Sequence, residues 1–235
     1  KKIGRQESLC TPHIYDLNEY IGTGVHEMTI CVSNVGYKTK GGHLTSPDTQ
    51  TNWNGITGRI ELIGYKNAHA ENVMLWCDIH NKTVKVTADI TVGKSGKAVI
   101  SAESFNSEKS HTPAVQSFEY TDGKLDALYK MGDDCLLWSE HEPNLYKLRI
   151  DIDGDVSEHI IGMREFRTEG GKFTINGEKT FLRGKHDGMI FPKTAFAPTD
   201  LEEWLRVMKI SKSYGMNHYR YHTCCPPESA FIAAD

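Results

Sequence analysis

The chain has 235 residues, with 27 Lys plus Arg against 31 Asp plus Glu and a formal net charge of −4. This length allows one large domain or two small ones with a real hydrophobic core. No block of like charge stands out and no apolar run reaches the roughly 18 residues of a membrane span, so the sequence argues against nucleic acid, an anionic membrane surface and a spanning helix.

The cysteines predict neither a zinc site nor a disulfide framework. They are scattered along the sequence with no C-x-x-C pair, so we interpret them as small buried hydrophobic residues. No cofactor and no metal are predicted. The six positions are Cys10, Cys31, Cys77, Cys135, Cys224 and Cys225.

Period-2 patterns dominate the first 200 residues and predict half-buried strands of an antiparallel sandwich. The longest alternation is Val84, Val86, Ala88, Ile90 and Val92, with polar residues between them. Shorter alternations include Met28, Ile30 and Val32, then Ile60 and Leu62, and further candidate strands are Val73 to Ile79, Ala98 to Glu103, Val115 to Tyr120, Tyr146 to Ile152 and His159 to Phe166. About seven short strands between residues 65 and 167 suit a β-sandwich of about 100 residues.

The hydrophobic period changes after residue 200. Leu201, Trp204, Leu205 and Met208 form one stripe of an amphipathic helix. Thr199 and Asp200 offer capping oxygens at its start, and Gly215 is expected to stop it. The segment from Met216 to His222 then reads as a short strand, and Pro226-Pro227-Glu228 suits the first turn of another helix. This order of a strand, a helix, a second strand and the start of a second helix predicts the beginning of a parallel βα series.

Four segments carry motifs in a fixed order. Residues 49–62 contain W-N-G-I-T-G-R-I-E-L, residues 137–148 read L-W-S-E-H-E-P-N-L-Y-K-L, residues 162–184 combine G-M-R-E-F with N-G-E-K-T-F-L-R-G, and residues 217–222 read N-H-Y-R-Y-H. Together they resemble glycoside hydrolase family 2, of the β-galactosidase type. In the last motif His222 comes one residue earlier than in the family pattern.

Some of these motif residues have simple structural interpretations. Trp138 and Tyr146 are expected to be core aromatics between the sheets of a sandwich. Gly162, Gly177 and Gly184 are expected at turns that need a positive φ.

The resemblance implies a mainly β chain with three parts. Residues 1–64 would be the C-terminal part of a sugar-binding jelly-roll domain, and residues 65–167 an immunoglobulin-like β-sandwich. Residues 168–235 would supply the first strands of a (β/α)8 TIM barrel.

The barrel segment carries the first set of candidate sugar-binding residues. His218, Arg220 and His222 share one face of a strand by period 2, and such a basic ladder is costly unless it lines a polar cavity. The resemblance implies that Arg220 and His222 hold sugar hydroxyls near the bond to be cleaved. The alternative is that Arg220 pairs with a buried carboxylate of the barrel floor.

Two further pairs of residues are candidates for substrate binding. His186 and Asp187 follow a strand predicted around Phe181 and Leu182. The family usually carries a V-N-R-H-E-like run here, whereas this chain has K-H-D-G, so capping or loop-fixing roles remain open. Asp48 and Asn52 precede Trp53, where the family's jelly roll sends a loop over the active site and a carboxylate can hold a sugar hydroxyl. The alternative is that the two side chains only stabilise their own loop, as in an Asx turn.

Hydrolysis with retention, the outcome that the resemblance implies, needs two carboxylates about 5 Å apart. In the family both are glutamates at the ends of barrel strands four and seven, and we expect both to lie beyond residue 235. Asp187 and Glu228 are the only local carboxylates to consider as substitutes. This chain alone is therefore expected to be inactive.

The functional prediction is an exo-glycosidase of the β-galactosidase type that hydrolyses terminal β-glycosidic bonds, with a β-glycoside as the carbohydrate partner. β-Glucuronidase, β-mannosidase and a non-catalytic carbohydrate-binding sandwich are the alternatives. A homo-oligomer, and a periplasmic or secreted location, remain open for the whole protein.

Overall fold

The computed structural model describes residues 1–8, 11–33, 35, 55–222 and 224–235. The chain divides into two compact units: Lys1–Glu61 with Arg183–Ala234, and Leu62–Leu182 with Asp235. Strands far outnumber helices among the described residues, which confirms a mainly β chain. No helix in the described ranges has both the length and the apolar character needed to cross a membrane.

Seven antiparallel strands form most of the second unit. They lie in the order β1-β2-β5-β4-β3-β6-β7. Within the continuously described residues 55–222, β4 and β5 pair only at Thr121 and Lys124, so the sheet opens there into halves of three and four strands. The strands are β1 (His69–Asp78), β2 (Thr83–Thr91), β3 (Ser95–Ser104), β4 (Gln116–Thr121), β5 (Lys124–Lys130), β6 (Tyr146–Ile152) and β7 (Asp155–Ile161).

One hydrophobic core joins the two halves into a sandwich. Alternate residues of each strand turn inward, as period-2 patterning requires. Among the residues that face solvent, Lys85 forms an ion pair with Asp126 and Arg149 forms one with Glu158. The fully buried residues include Val84, Val86, Ala98, Ile100, Tyr129, Tyr146, Leu148, Ile150 and Ile152. The predicted inward alternation of β2 is confirmed from Val84 to Ile90.

The alternation fails at Val92, which we expected on the dry face. The strand ends at Thr91, and Val92 is 79% exposed with φ +56°. Val92 and Gly93 (φ +132°) form the turn into β3, and the chain reversal turns the Val92 side chain away from the core.

The glycine and tryptophan of the motif segments contact each other. Trp138 is half-buried beside the core, and its ring packs on Gly162, where a Cβ would lie 3.1 Å from three side-chain atoms of Trp138. Of the three glycines expected at positive φ, only Gly177 has it, after Asn176 in a hairpin turn. At Gly162 the close approach of Trp138 leaves little room for a side chain, and at Gly184 the His218 ring has the same effect.

A small three-stranded sheet follows the sandwich. It consists of β8 (Phe166–Glu169), β9 (Lys172–Ile175) and β10 (Glu178–Thr180), in the order β10-β9-β8. Gly170 and Gly171, both at positive φ, form its first turn, and Asn176 with Gly177 forms its second. The Asn176 amide also donates to the carbonyl of Trp138 and its Oδ1 accepts from Glu165 N, which fixes this hairpin to the sandwich.

The first unit contains the predicted strand–helix–strand segment. Its elements are β11 (Gly184–Asp187), α1 (Leu201–Ser213), β12 (His218–Tyr221) and α2 (Glu228–Ala234), and β11 pairs with β12 in parallel. Asp200 caps α1 by accepting from Glu203 N, and Trp204 packs into a core with Met189, Ala197 and Ala230. The helix, its cap and the strand after it are confirmed.

The first strand of this segment begins later than predicted. We expected it around Phe181 and Leu182, but β11 starts at Gly184 and Phe181 is 76% exposed. The parallel pairing with β12 runs from Gly184 to Asp187, along the whole length of the strand. Pairing, more than local apolar character, decides where a strand lies.

The alternations before residue 64 form no strand among the described residues 1–8, 11–33, 35 and 55–63. Met28, Ile30, Val32, Ile60 and Leu62 are all exposed. Alternation gives an extended segment one apolar side, but a strand also needs hydrogen bonds from a neighbouring segment. The jelly-roll domain and the complete barrel stay predictions.

The described cysteines form no disulfide bond, and their burial is lower than predicted. Cys31 and Cys225 are exposed, and Cys77, Cys135 and Cys224 are half-buried. Burial raises the pKa of Cys77 to about 11, with Cys135 as a smaller contribution, so this thiol is protonated at neutral pH. Cys10 lies outside the described residues.

Truncating a core residue should test the packing directly. For Ile150→Ala, on β6 and fully buried, we expect a loss of about 2–5 kcal/mol in the free energy of unfolding, measured by denaturant titration. Val156→Ala, on β7 and 54% exposed, is the matched control and should cost less than about 0.5 kcal/mol. Equal losses for both variants would contradict the assignment of the core.

A buried hydrogen bond in the sandwich depends on pH. Tyr146 accepts from Leu136 N at 2.8 Å, so its own proton is available for His111 Nδ1 at 2.7 Å. Nδ1 can accept that proton only while the imidazole is neutral. Burial lowers the pKa of His111, partly offset by Asp134. Because the unfolded chain binds a proton more readily, stability should be constant above about pH 6.5 and fall as the pH drops towards the folded pKa.

His111→Asn should reduce this loss of stability between pH 7 and pH 5, because the Asn Oδ1 accepts a hydrogen bond without titrating. The free energy of unfolding, measured at the two pH values, tests this expectation. Burial also lowers the pKa of His159, so some dependence of stability on pH should remain in this variant. His13→Asn, at an exposed histidine whose ring contacts the Ser8 hydroxyl, is the control and should leave the wild-type dependence in place. An unchanged slope in His111→Asn would refute the assignment.

Candidate functional site

The parallel pairing of β11 and β12 creates two faces of opposite character. Gly184 lies opposite His218, Lys185 opposite Tyr219, His186 opposite Arg220 and Asp187 opposite Tyr221. Paired residues in register point to the same side of a sheet. We call the side with His186, His218, Arg220 and His222 the basic face, and the side with Lys185, Asp187, Tyr219 and Tyr221 the helix face.

Contacts with α1 identify the helix face. The hydroxyl of Tyr219 hydrogen bonds to Ser211 Oγ, and the ring of Tyr221 packs edge-on against Trp204 at 6.1 Å between centroids. Burial raises the pKa of Tyr221, and the neighbouring Asp187 raises it further. The helix face is therefore the structural side of the two-stranded sheet.

Three of the predicted site residues meet on the basic face. The imidazoles of His186 and His222 lie 4.9 Å apart between centroids, and Arg220 Nη1 lies 3.4 Å from His186 Nε2. The backbone N of His222 donates to the carbonyl of Asp187 at 2.8 Å, which extends the pairing one residue beyond β12. His186, Arg220 and His222 thus form one cluster at the C-terminal ends of two parallel strands.

The Arg220 contact is compatible with one tautomer of His186. A guanidinium has donors and no acceptor, so at 3.4 Å Arg220 Nη1 can donate to His186 Nε2 when the imidazole carries its proton on Nδ1. The basic face thereby offers an imidazole N–H and the remaining guanidinium N–H groups to a ligand.

A close approach between the two strands holds His218. A Cβ on Gly184 would lie less than 3 Å from Cε1, Nε2 and Nδ1 of His218, so only glycine leaves room for this ring. His218 Nδ1 is buried and has no hydrogen-bond partner among the described residues. Sequence reasoning missed this role of Gly184; a glycine inside a strand, which often marks such an approach, was the available signal.

Asp187 points away from this cluster. It lies on the helix face at 5% exposure, where Oδ1 accepts from Met189 N at 2.6 Å and Oδ2 pairs with Lys185 Nζ at 2.8 Å. Met189 has a positive φ of 54°, and the Asp187 carboxylate fixes that turn. The observed contacts match the loop-fixing alternative, and His186 and Asp187 lie within β11 on opposite faces instead of following a strand.

The remaining candidates lie elsewhere. Asp48 and Asn52 fall outside the described residues. Glu228 forms an ion pair with Arg59, at 3.0 Å between Oε2 and Nε, and both side chains are exposed. Arg59 belongs to the W-N-G-I-T-G-R-I-E-L motif, so this pair connects that motif to the first turn of α2.

The basic face offers hydrogen-bond donors, and the Asp187 carboxylate lies on the opposite face. Among the described residues, no cluster of three or more His, Cys, Asp or Glu side chains is arranged to hold a metal ion. The two local carboxylates are engaged separately, Asp187 with Lys185 and Glu228 with Arg59. A pair of carboxylates about 5 Å apart, as retaining glycoside hydrolysis needs, is not formed by them.

The fold and this face define a class of protein: a modular chain in which a β-sandwich precedes a βα unit with hydrogen-bonding side chains at its strand ends. Residues 68–164 match the model of glycosyl hydrolases family 2. The sandwich is similar to this family over those residues, and the resemblance drawn from the four motifs is confirmed.

Individual proteins agree with this family. A β-galactosidase of Clostridium acetobutylicum is 22% identical over 226 residues, covering 93% of this chain and 24% of the relative. A family 2 glycosyl hydrolase of Bacteroides cellulosilyticus has a TM-score of 0.56 at 21% identity, over 71% of this chain and 25% of its own. A β-glucuronidase of Parabacteroides merdae has a TM-score of 0.55 at 18% identity, over 71% and 22%. The chain spans about a quarter of the length of the β-galactosidase.

Gly184→Ala should displace His218, because the new methyl group occupies the space of its ring. We expect lower amide protection in β11 and β12 and shifted imidazole resonances of His218, both measured by nuclear magnetic resonance. Gly58→Ala, at a glycine with nothing near its Cβ position, is the control and should change neither. Unchanged His218 resonances in Gly184→Ala would exclude the close approach.

Proposed function

We propose that the whole protein is a family 2 exo-glycosidase that removes a terminal β-linked sugar, with β-galactosidase as the nearest activity among its relatives. The observation that carries this proposal is the basic face, where Arg220, His186 and His222 converge at the ends of two parallel strands. In α/β barrels, ligands bind at this end of the strands. The match to the family supports the class of reaction, hydrolysis of a glycosidic bond.

We propose different roles for the residues of the site. Arg220 and the Nδ1–H of neutral His186 would donate to oxygen atoms of the terminal sugar, with His222 beside them. Gly184 and His218 would hold the strands together, and Asp187 would fix the loop that follows β11. Asp48 and Asn52 are proposed to approach the same sugar from the jelly-roll segment.

The bond would be cleaved by the retaining mechanism with two glutamates outside this chain. One would attack the anomeric carbon while the other protonates the leaving oxygen, and water would then release the sugar. The contribution of the basic face is to orient the sugar and to stabilise charge that develops in the transition state. In this proposal, residues 168–235 begin the TIM barrel that carries both acids.

Hydrolysis of 4-nitrophenyl glycosides by the whole protein tests this function. We expect hydrolysis of a terminal β-glycoside, and Arg220→Gln should lower kcat/KM by roughly 100-fold, the cost of losing one donor to a transition state. Arg206→Gln, on the exposed side of α1 where Arg206 pairs with Glu203, is the matched control with near wild-type activity.

The 235-residue chain should be inactive in the same assay. Activity in this chain would overturn the proposed location of the acids. A whole protein that binds glycosides without cleaving any of them would favour the alternative of a non-catalytic carbohydrate-binding protein.

A further inference from the structure

Two adjacent cysteines follow the basic face along the chain. Cys224 and Cys225 lie between His222 and the prolines that precede α2, and they are the only neighbouring cysteines in the sequence. Cys225 is exposed, whereas Cys224 is half-buried and packs against the core that contains Trp204. The proposed function uses neither thiol. A pair of sulfur atoms with one exposed member therefore follows a proposed sugar-binding side chain by two to three residues.

Exposure distinguishes this pair from the cysteines of the sandwich. Burial raises the pKa of Cys77 to about 11 and also raises the pKa of Cys135. The thiolate is the form that attacks other sulfur atoms, so these two thiols react slowly near neutral pH. Cys225 is open to dissolved reagents, and its thiol donates only weakly to the Pro226 carbonyl, at 3.6 Å. Attack on an external sulfur atom should therefore begin at Cys225.

A disulfide bond between neighbouring cysteines is strained. Consecutive Cα atoms are about 3.8 Å apart across a trans peptide bond, whereas the Cα atoms of most disulfides are about 4.4–6.8 Å apart. An S–S bond between Cys224 and Cys225 would close a small ring and force its backbone away from relaxed geometry. Strained or exposed disulfides are the ones that thiols reduce most easily. Such a bond would open and close with the redox state of the solution instead of forming a permanent cross-link.

The segment between β12 and α2 connects this pair with the basic face. At one end, the backbone N of His222 donates to Asp187 O at 2.8 Å. At the other end, Ala230 of α2 is fully buried. Forming the ring moves at least one of the two cysteine side chains, because Cys224 packs on the core and Cys225 is exposed. Since both ends of the segment are held, the backbone change falls on the few residues between them, next to His222.

We infer that Cys224 and Cys225 form a redox-active dithiol, which small-molecule disulfides oxidise to a vicinal disulfide. Closure displaces His222 and so weakens the sugar site; this effect rests on the proposed function, and the disulfide itself does not. The Cys225 thiolate attacks one sulfur of the external disulfide, whose S–S bond breaks and releases one thiolate. The Cys224 thiolate then attacks the Cys225 sulfur and releases the second. The two cysteine protons pass through solvent to the released thiolates, so the protein loses two electrons and the external disulfide gains them.

Mass spectrometry of the 235-residue chain tests the bond. The chain is treated with excess oxidised glutathione, alkylated and digested with trypsin, which cuts after Arg220 and leaves both cysteines in one peptide. We expect this peptide to have lost two hydrogen atoms and to carry neither glutathione nor an alkyl group, and reduced glutathione should reverse the change. Cys224→Ser should keep glutathione on Cys225, because the second thiol is missing. Glutathione or alkyl groups on both cysteines of the wild-type peptide would overturn the inference.

Nuclear magnetic resonance of the same chain tests the link to the basic face. Closure of the ring should shift the imidazole resonances of His222, and dithiothreitol should restore them. The double variant Cys224→Ser, Cys225→Ser is the control, because the same oxidation should leave its His222 resonances unchanged. A closed ring with unchanged His222 resonances would overturn the displacement of this side chain.

Kinetics of the whole protein test the effect on the sugar site. We expect oxidation to raise KM for the 4-nitrophenyl β-glycoside that it hydrolyses by roughly 10-fold, the value of one hydrogen bond, and dithiothreitol to reverse the rise. The double variant should keep the KM of the reduced protein after the same treatment. A closed ring with an unchanged KM would overturn the effect on sugar binding. No hydrolysis by the reduced protein would refute the proposed function, and the two measurements on the 235-residue chain would still decide the dithiol.

Discussion

The parallel register between β11 and β12 is the constraint on which the candidate site depends. It places Gly184 opposite His218 and His186 opposite Arg220, and the hydrogen bond from His222 N to Asp187 O extends it by one residue. A shift of one residue would exchange the two faces, because side chains alternate along a strand. Asp187 would then lie among the ligand-binding groups, and His186 would be buried against the helix.

The close contact between Gly184 and His218 favours this register over shifted ones. Any larger residue at position 184 meets the His218 ring, so the small residue and the large ring must lie opposite each other. The helix face supplies the second restraint, because Tyr219 and Tyr221 have partners in Ser211 and Trp204. The register is thus specified from both sides of a sheet that has only four residues in each strand.

The sequence predicted features that depend on local pattern and missed those that depend on contacts between distant segments. The alternation from Val84 to Ile90 predicted an inward face, and the oxygens before Leu201 predicted the cap of α1, because period and capping are local properties. The position of β11 was wrong by two to three residues, since the apolar Phe181 and Leu182 suggested a strand that pairing with β12 placed later. Because of that error, the sequence did not predict that His186 and Asp187 point to opposite faces of the sheet. Trp138 was expected in the core, and its actual place over Gly162 could not be read from either residue alone.

The contact between Arg220 and His186 connects the geometry of the basic face with its chemistry. While His186 Nε2 accepts from Arg220, the imidazole can donate only through Nδ1–H, and the other guanidinium N–H groups of Arg220 remain as donors. His186 and Arg220 meet because they lie opposite each other in β11 and β12. The strand register therefore sets both the positions of these groups and the donors that they can offer.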